Sequence, residues 1–250
     1  ADLAGMKVAG ARVLVVGGVH RLGGEIATDL AAHDAALAVS SRTHDRAMED
    51  RVAALLAAGA PAAHGVAGDA SCAEGAAAIV ARATQALGGL DALVYAASGP
   101  FIPRPPQEID EAAWDASLDT IAKGFFFSAC AARRHLAPGG VIVAITDYLG
   151  LQPWATFAAH GAAKAAQIHL VKILARAWAP ESVRVCGVAP GPVDLADDTH
   201  REATLRAAAR VASERLVAPA HIGAAVRFCL ENDALTGASI AVDNGALVTS

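Results

Sequence analysis

Charge is scarce in this chain: 18% of its 250 residues are Asp, Glu, Lys or Arg, and the formal net charge is −5. No cluster of lysine and arginine breaks that balance, so the electrostatic footprint of a nucleic-acid binder is missing. Long apolar runs are missing too. None approaches the ~18 residues that a bilayer span requires, so no membrane association is expected. The opening residues, Ala1 to Lys7, lack the charged-then-apolar layout of a signal peptide, and a cytoplasmic protein is the expectation. Cysteine is sparse and scattered, at Cys72, Cys130, Cys186 and Cys229. With no C-x-x-C pair, and with the last three in apolar stretches, they read as small core residues rather than metal ligands or disulfide partners. The nine histidines form no H-x-x-x-H or similar ligand pair, so no metal site is expected.

What the chain has in abundance is alanine. Hydrophobic residues reach 54%, and because most of them are alanine, a strong helix former, many tightly packed helices are expected. Short continuous apolar runs with β-branched residues occur at about 12–16, 36–39, 92–95, 141–145, 183–188 and 239–242, as strands buried on both faces require. Helical stretches fall between them, at about 22–33, 44–58, 73–87, 111–135, 155–179 and 219–231. Such alternation predicts an α/β protein with a single doubly wound parallel sheet and helices on both faces. One domain over residues 1–250 is within the reach of such a sheet. Long loops at roughly 98–108 and 190–204 follow strands, on the edge where these sheets bind ligands.

The first strand runs into Gly17-Gly18-Val19-His20-Arg21-Leu22-Gly23-Gly24 and then into a helix. Glycines there let the backbone turn sharply and approach a pyrophosphate, whose charge then sits at the helix N-terminus. With Val16 for the threonine and Arg21 for the middle glycine, the segment resembles the T-G-x-x-x-G-x-G turn of short-chain dehydrogenases/reductases, which have the Rossmann fold. The R-L-G ending resembles pteridine reductases within that family. The resemblance extends along nearly the whole chain. Asp69 stands where the family holds the adenine ring, and Tyr95-Ala96-Ala97-Ser98-Gly99 where N-N-A-G is usual. Ala189-Pro190-Gly191-Pro192-Val193 resembles the P-G loop beside the nicotinamide, and Leu235 to Gly245 the C-terminal T-G…V-D-G-G. It implies cofactor contacts from Gly17, His20, Arg21, Leu22, Asp69, Ala97, Pro190, Gly191 and Val193.

Charge decides which cofactor. The second strand ends Val39-Ser40-Ser41-Arg42-Thr43, without the acidic residue that would accept hydrogen bonds from a ribose 2′-hydroxyl. Arg42 can pair with a 2′-phosphate, and Ser41 and His20 can add donors. NADPH/NADP is therefore the expected cofactor.

The catalytic positions depart from the family. Its Asn-Ser-Tyr-Lys set uses the tyrosine to pass a proton, and the lysine to lower that tyrosine's pKa and hold the ribose. The lysine matches Lys164. The tyrosine position is His160, the serine position Asp147, and the asparagine position lies near Ile121. Aspartate at the serine position is similar to pteridine reductases, which nevertheless keep the tyrosine. Enoyl reductases place a tyrosine seven residues before the lysine, where this chain has Phe157, yet Asp147-Tyr148-Leu149-Gly150 resembles their Y-L-G segment. Dienoyl-thioester reductases also lack the usual tyrosine and use one shortly after the fifth strand, near Tyr148. Both His160 and Tyr148 therefore stand as candidate proton donors.

The expectation is an NADPH-dependent reductase of a small conjugated C=C, C=N or C=O substrate, with Asp147, His160 and Lys164 in place of Ser-Tyr-Lys. Phe101, Ile102, Trp154, Phe157 and Leu195 are the expected pocket wall. A pteridine-type reductase is the enzymatic alternative, because Trp154 or Phe101 could stack on a flat ring. A non-redox NADP-binding relative is the other. The family resemblance and the alanine-rich helices imply a homo-oligomer, expected to be a tetramer.

Overall fold

The computed structural model describes residues 5–99, 101, 103–196 and 201–249. Seven strands alternate with helices: β1 (Arg12–Val16), α1 (Arg21–Ala31), β2 (Ala36–Ser41), α2 (Arg46–Ala57), β3 (Ala63–Ala67), α3 (Ala73–Leu87) and β4 (Leu90–Tyr95). Then come α4 (Glu111–Leu118), α5 (Gly124–Arg133), β5 (Leu136–Ile145), α6 (Ala158–Trp178), β6 (Arg184–Pro190), α7 (Arg201–Ala208), α8 (Pro219–Glu231) and β7 (Ser239–Val242). All pairings are parallel, in the order β3-β2-β1-β4-β5-β6-β7.

Alternate residues of the central strands feed two cores. Val13, Val15, Val94 and Val143 face one side with Ile26 and Leu30 of α1 and Val226 of α8. Leu14, Val16, Leu93 and Ile142 face the other, with Ile79 of α3, Phe125 of α5 and Leu174 of α6. This is the doubly wound architecture expected from the sequence, a Rossmann fold. From β3 the chain crosses back over the sheet to place β4 on the far side of β1. The connections leaving β1 and β4 depart in opposite directions, and a crevice opens at their carboxyl ends.

Three elements differ from the sequence expectation. β3 pairs along β2 from Ala63 opposite Leu37 to Ala67 opposite Ser41, where no strand was expected. Its Ala-His-Gly-Val-Ala composition offers one β-branched residue, and as an edge strand it is half exposed, so the apolar signal of a buried strand is lacking. The expected helix at 111–135 is broken into α4, a π turn over Asp119–Lys123, and α5. The cause lies beneath it. Tyr95 ends β4 fully buried, and its hydroxyl donates to the Thr120 carbonyl at 2.5 Å. The wide turn lets the helix pass over that ring. Lastly, α7 occupies part of the expected loop at 190–204, whose residues 197–200 lie outside the described residues, as do Pro100 and Ile102 of the other loop. Among the described residues, no helix is long and apolar enough to cross a membrane.

Candidate active site

The crevice between β1 and β4 is floored by the glycine turn. Gly17 has φ +77°, and a Cβ there would stand 2.8 Å from both Cα and N of Ala97, so the two strand ends touch. A Cβ on Gly23 would lie 2.1 Å from the Gly17 carbonyl oxygen. Arg21, at the middle-glycine position, has φ +49°, the left-handed region that explains why glycine is usual there. Leu22 packs half-buried against the core, while His20 and Arg21 are exposed at the start of α1. Two side chains that the sequence reading missed hold the turn. Ser40 Oγ accepts from the Gly17 N–H at 3.3 Å. Arg51 of α2 donates to the Val19 carbonyl at 2.9 Å and the Thr28 hydroxyl at 3.1 Å. No local motif marks Arg51; its partners lie 32 and 23 residues away.

Beyond β2, Arg42 is exposed, and its charge helps to hold the Asp69 carboxyl below the usual carboxylate range. The larger cause is the Ser71 amide, which donates to Asp69 Oδ1 at 2.9 Å. Ser41, beside Arg42, has its hydroxyl donating to the Thr43 carbonyl at 2.6 Å. At the other end of the crevice, Pro190 ends β6. Gly191 comes so near the end of the neighbouring strand β7 that a Cβ would be 2.7 Å from Asp243 Cα, and Val193 bridges to Val217. Gly17, Gly23 and Gly191 let the turn after β1, the start of α1 and the loop after β6 pack closely on neighbouring backbone along the carboxyl edge of the sheet, the edge where such sheets bind dinucleotides.

Asp147, His160 and Lys164 are brought together beside this end. His160 and Lys164 are one turn apart on α6, both buried. Asp147 Oδ2 lies 3.1 Å from His160 Nε2, while Oδ1 accepts the Leu149 N–H at 2.9 Å. A carboxylate accepting both contacts puts the imidazole proton on Nε2. His160 Nδ1 is buried without a hydrogen-bond partner. Lys164 Nζ donates to the Ile145 carbonyl at 2.7 Å. Burial pushes its pKa down to about 8, against the opposing pull of Asp147. Ile121, at the family's asparagine position, is fully buried in the π turn.

Tyr148 faces an aromatic cluster. It stands edge-on to Trp154 at 6.1 Å, and burial, aided by Asp147, raises its pKa well above the ordinary phenol value. Phe101 stacks on Phe157 at 4.3 Å and meets His160 edge-on at 4.9 Å. The Arg210 guanidinium covers the Trp154 face at 5.5 Å. Leu195 is buried in the loop after β6. On the α4 side of His160 is a cavity of about 340 Å³, walled by Ile109, Ala113, Phe157 and Ala159 and carrying Arg104.

Residues 18–246 match the family model described as enoyl-(acyl carrier protein) reductase. The 2-(S)-hydroxypropyl-CoM dehydrogenase 3 of Xanthobacter autotrophicus is 33% identical over 216 residues, 80% of this chain and 83% of that protein. The 3beta-hydroxysteroid dehydrogenase 1 of Eggerthella lenta is 29% identical over 94% of this chain and 93% of its own length. A solved short-chain dehydrogenase from Burkholderia cenocepacia, in complex with NADP, superposes with a TM-score of 0.87 at 29% identity, covering 97% of this chain and 100% of that one. With the sheet order, the glycine turn and the placement of Lys164 already in hand, these likenesses over most of its length establish that the chain belongs to the short-chain dehydrogenase/reductase family of oxidoreductases.

Proposed function

We propose that this protein is an NADPH-dependent reductase that acts on a small conjugated C=C, C=N or C=O group through Asp147, His160 and Lys164. The observation that carries the reading is the 3.1 Å contact between Asp147 Oδ2 and His160 Nε2, with Lys164 buried one turn further along the same helix. Gly17, His20, Arg21, Leu22 and Asp69 would hold the adenosine and pyrophosphate, and Ala97, Pro190, Gly191 and Val193 the nicotinamide half. Arg42 and Ser41, with no acidic residue at the end of β2, favour a 2′-phosphate over a 2′-hydroxyl. When bound, NADPH supplies the hydride.

The chain's own residues then supply position and a proton. Lys164, fixed by the Ile145 carbonyl, holds the ribose and adds positive charge beneath the reacting group. An imidazolium paired with a carboxylate can give up a proton to an atom gaining negative charge, and Asp147 keeps the neutral ring oriented afterwards. Tyr148 is the weaker candidate, because its raised pKa makes it a poorer acid; with Phe101, Trp154, Phe157 and Leu195 it serves better as pocket wall. The same wall leaves room for the pteridine-type reading, supported by the aspartate at position 147. A single cytoplasmic domain over residues 1–250 that assembles as a homotetramer completes the proposal, with the loops at 98–108 and 190–204 contributing to the substrate site.

Loss of NADPH absorbance with a panel of enones, imines, ketones and dihydropterins is the direct test. His160→Phe should cut turnover by about 10²–10⁴-fold, the usual worth of a general acid, with little change in NADPH affinity. If Tyr148→Phe suffers that loss instead, the proton belongs to Tyr148. A wild-type protein that oxidises NADPH with none of these acceptors is a non-redox binder.

A further inference from the structure

We infer that the cavity beside His160 is a carboxylate subsite, so that the substrate is a small apolar acid anchored by Arg104. The inference rests on the proposed reductase and deepens it. Arg104 is half-buried, and its backbone is pinned by an N–H donated to the Thr156 carbonyl at 2.9 Å. Its guanidinium has no ion pair or hydrogen bond among the described residues. A partly desolvated cation with five donors wants an acceptor. His160 also lines this space; it is 5% exposed, with its Nε2 taken by Asp147.

Of the other polar side chains there, Asp110 and Ser117 make local bonds within α4, and Thr156 adds a hydroxyl at the rim. Asp110 Oδ1 caps α4 by accepting the Ala113 N–H at 2.8 Å, and the Ser117 hydroxyl donates to the Ala113 carbonyl at 3.2 Å. The remaining wall, from Ile109, Ala112, Ala113 and Phe157, is apolar. At about 340 Å³ the cavity falls in the range of small-ligand sites, roughly 300–1,000 Å³. One guanidinium facing one acidic neighbour, Asp110, suits a monoanion better than a phosphate dianion, and its planar fork matches a carboxylate. An acid seated there lies against the imidazole that Asp147 orients, with its reducible part toward the nicotinamide side.

Benzoate and benzamide have nearly the same shape and differ in charge, so their binding, followed by ligand-observed NMR without turnover, tests the subsite. Benzoate should bind about tenfold or more tightly than benzamide, the scale of a charged hydrogen-bonded pair. Arg104→Gln should bring the two affinities together while NADPH affinity stays at the wild-type level. Arg104→Lys, which keeps the charge, should retain part of the preference if the glutamine variant folds poorly. Asp110→Asn, still able to cap α4, should tighten benzoate further by removing the nearby anion. Equal binding of the two probes, or a benzoate preference that survives Arg104→Gln, would overturn the inference. A chain that binds benzoate through Arg104 yet never oxidises NADPH overturns the reductase and leaves the subsite standing. A reductase indifferent to charge does the reverse.

Discussion

Burying an ammonium is expensive, and Lys164 shows the cost in its pKa, pushed down to about 8 from an ordinary 10.5. That displacement corresponds to about 3 kcal/mol of destabilisation while the lysine is charged in both folded and unfolded chains. Between the two values the unfolded chain binds more protons, so this contribution to stability improves as pH rises from 8 toward 10.5. Lys164→Met should therefore melt at a higher temperature than wild type at pH 7, with the gap narrowing by pH 10, while losing cofactor affinity. Thermal melts across that range check the sign, and a variant less stable at pH 7 would contradict the account. At the far end of the cofactor, Arg42→Ala should weaken NADPH binding by about tenfold or more and leave NADH nearly untouched. An equal loss for both would mean that Arg42 does not read the 2′-phosphate.

Where α4 gives way to α5, one glycine and one tyrosine are coupled. A Cβ on Gly124 would stand 2.2 Å from Tyr95 Oη and 2.5 Å from the Ala70 carbonyl oxygen. Gly124→Ala should cost about 1–3 kcal/mol by overpacking. In a Tyr95→Phe background, where the nearest obstructing atom is gone, the same change should cost less, and urea unfolding of the four proteins measures the difference. Strictly additive effects would show that the tyrosine does not set the turn. The sequence carries no sign of this break, because residues 119–123 contain neither proline nor glycine and their helical pattern is continuous. β3 was illegible for the opposite reason: it is too small and too exposed to look like a strand. The central strands and the glycine turn were legible because burial on both faces and a positive φ each demand particular residue types. Residues 147, 160 and 164 could be matched by position, with Asp147 a candidate neighbour of His160, but the 3.1 Å geometry of their contact depends on how the loop after β5 folds back over α6. Arg51 and Arg104 were invisible for the same reason. Their meaning lies in distant partners, or in the lack of them.

For the whole molecule, Trp114 on α4 and Ile173 on α6 leave large apolar side chains on the surface, and Phe228 and Val248 do so near the C-terminus. Small alanines around the first pair permit close helix packing between copies, so light scattering should give a mass well above 25.2 kDa at micromolar concentration. A monomer mass would refute the oligomer.

The sheet order has a kinetic consequence as well. Gly17 and Ala97 face each other across the crevice at touching distance, yet some eighty positions of chain separate them, and such distant contacts are slow to close. At roughly 5–20 residues per second of synthesis, the glycine turn leaves the ribosome several seconds before its opposite wall exists. For that interval the growing chain carries half a cleft, with nothing yet standing on its other side.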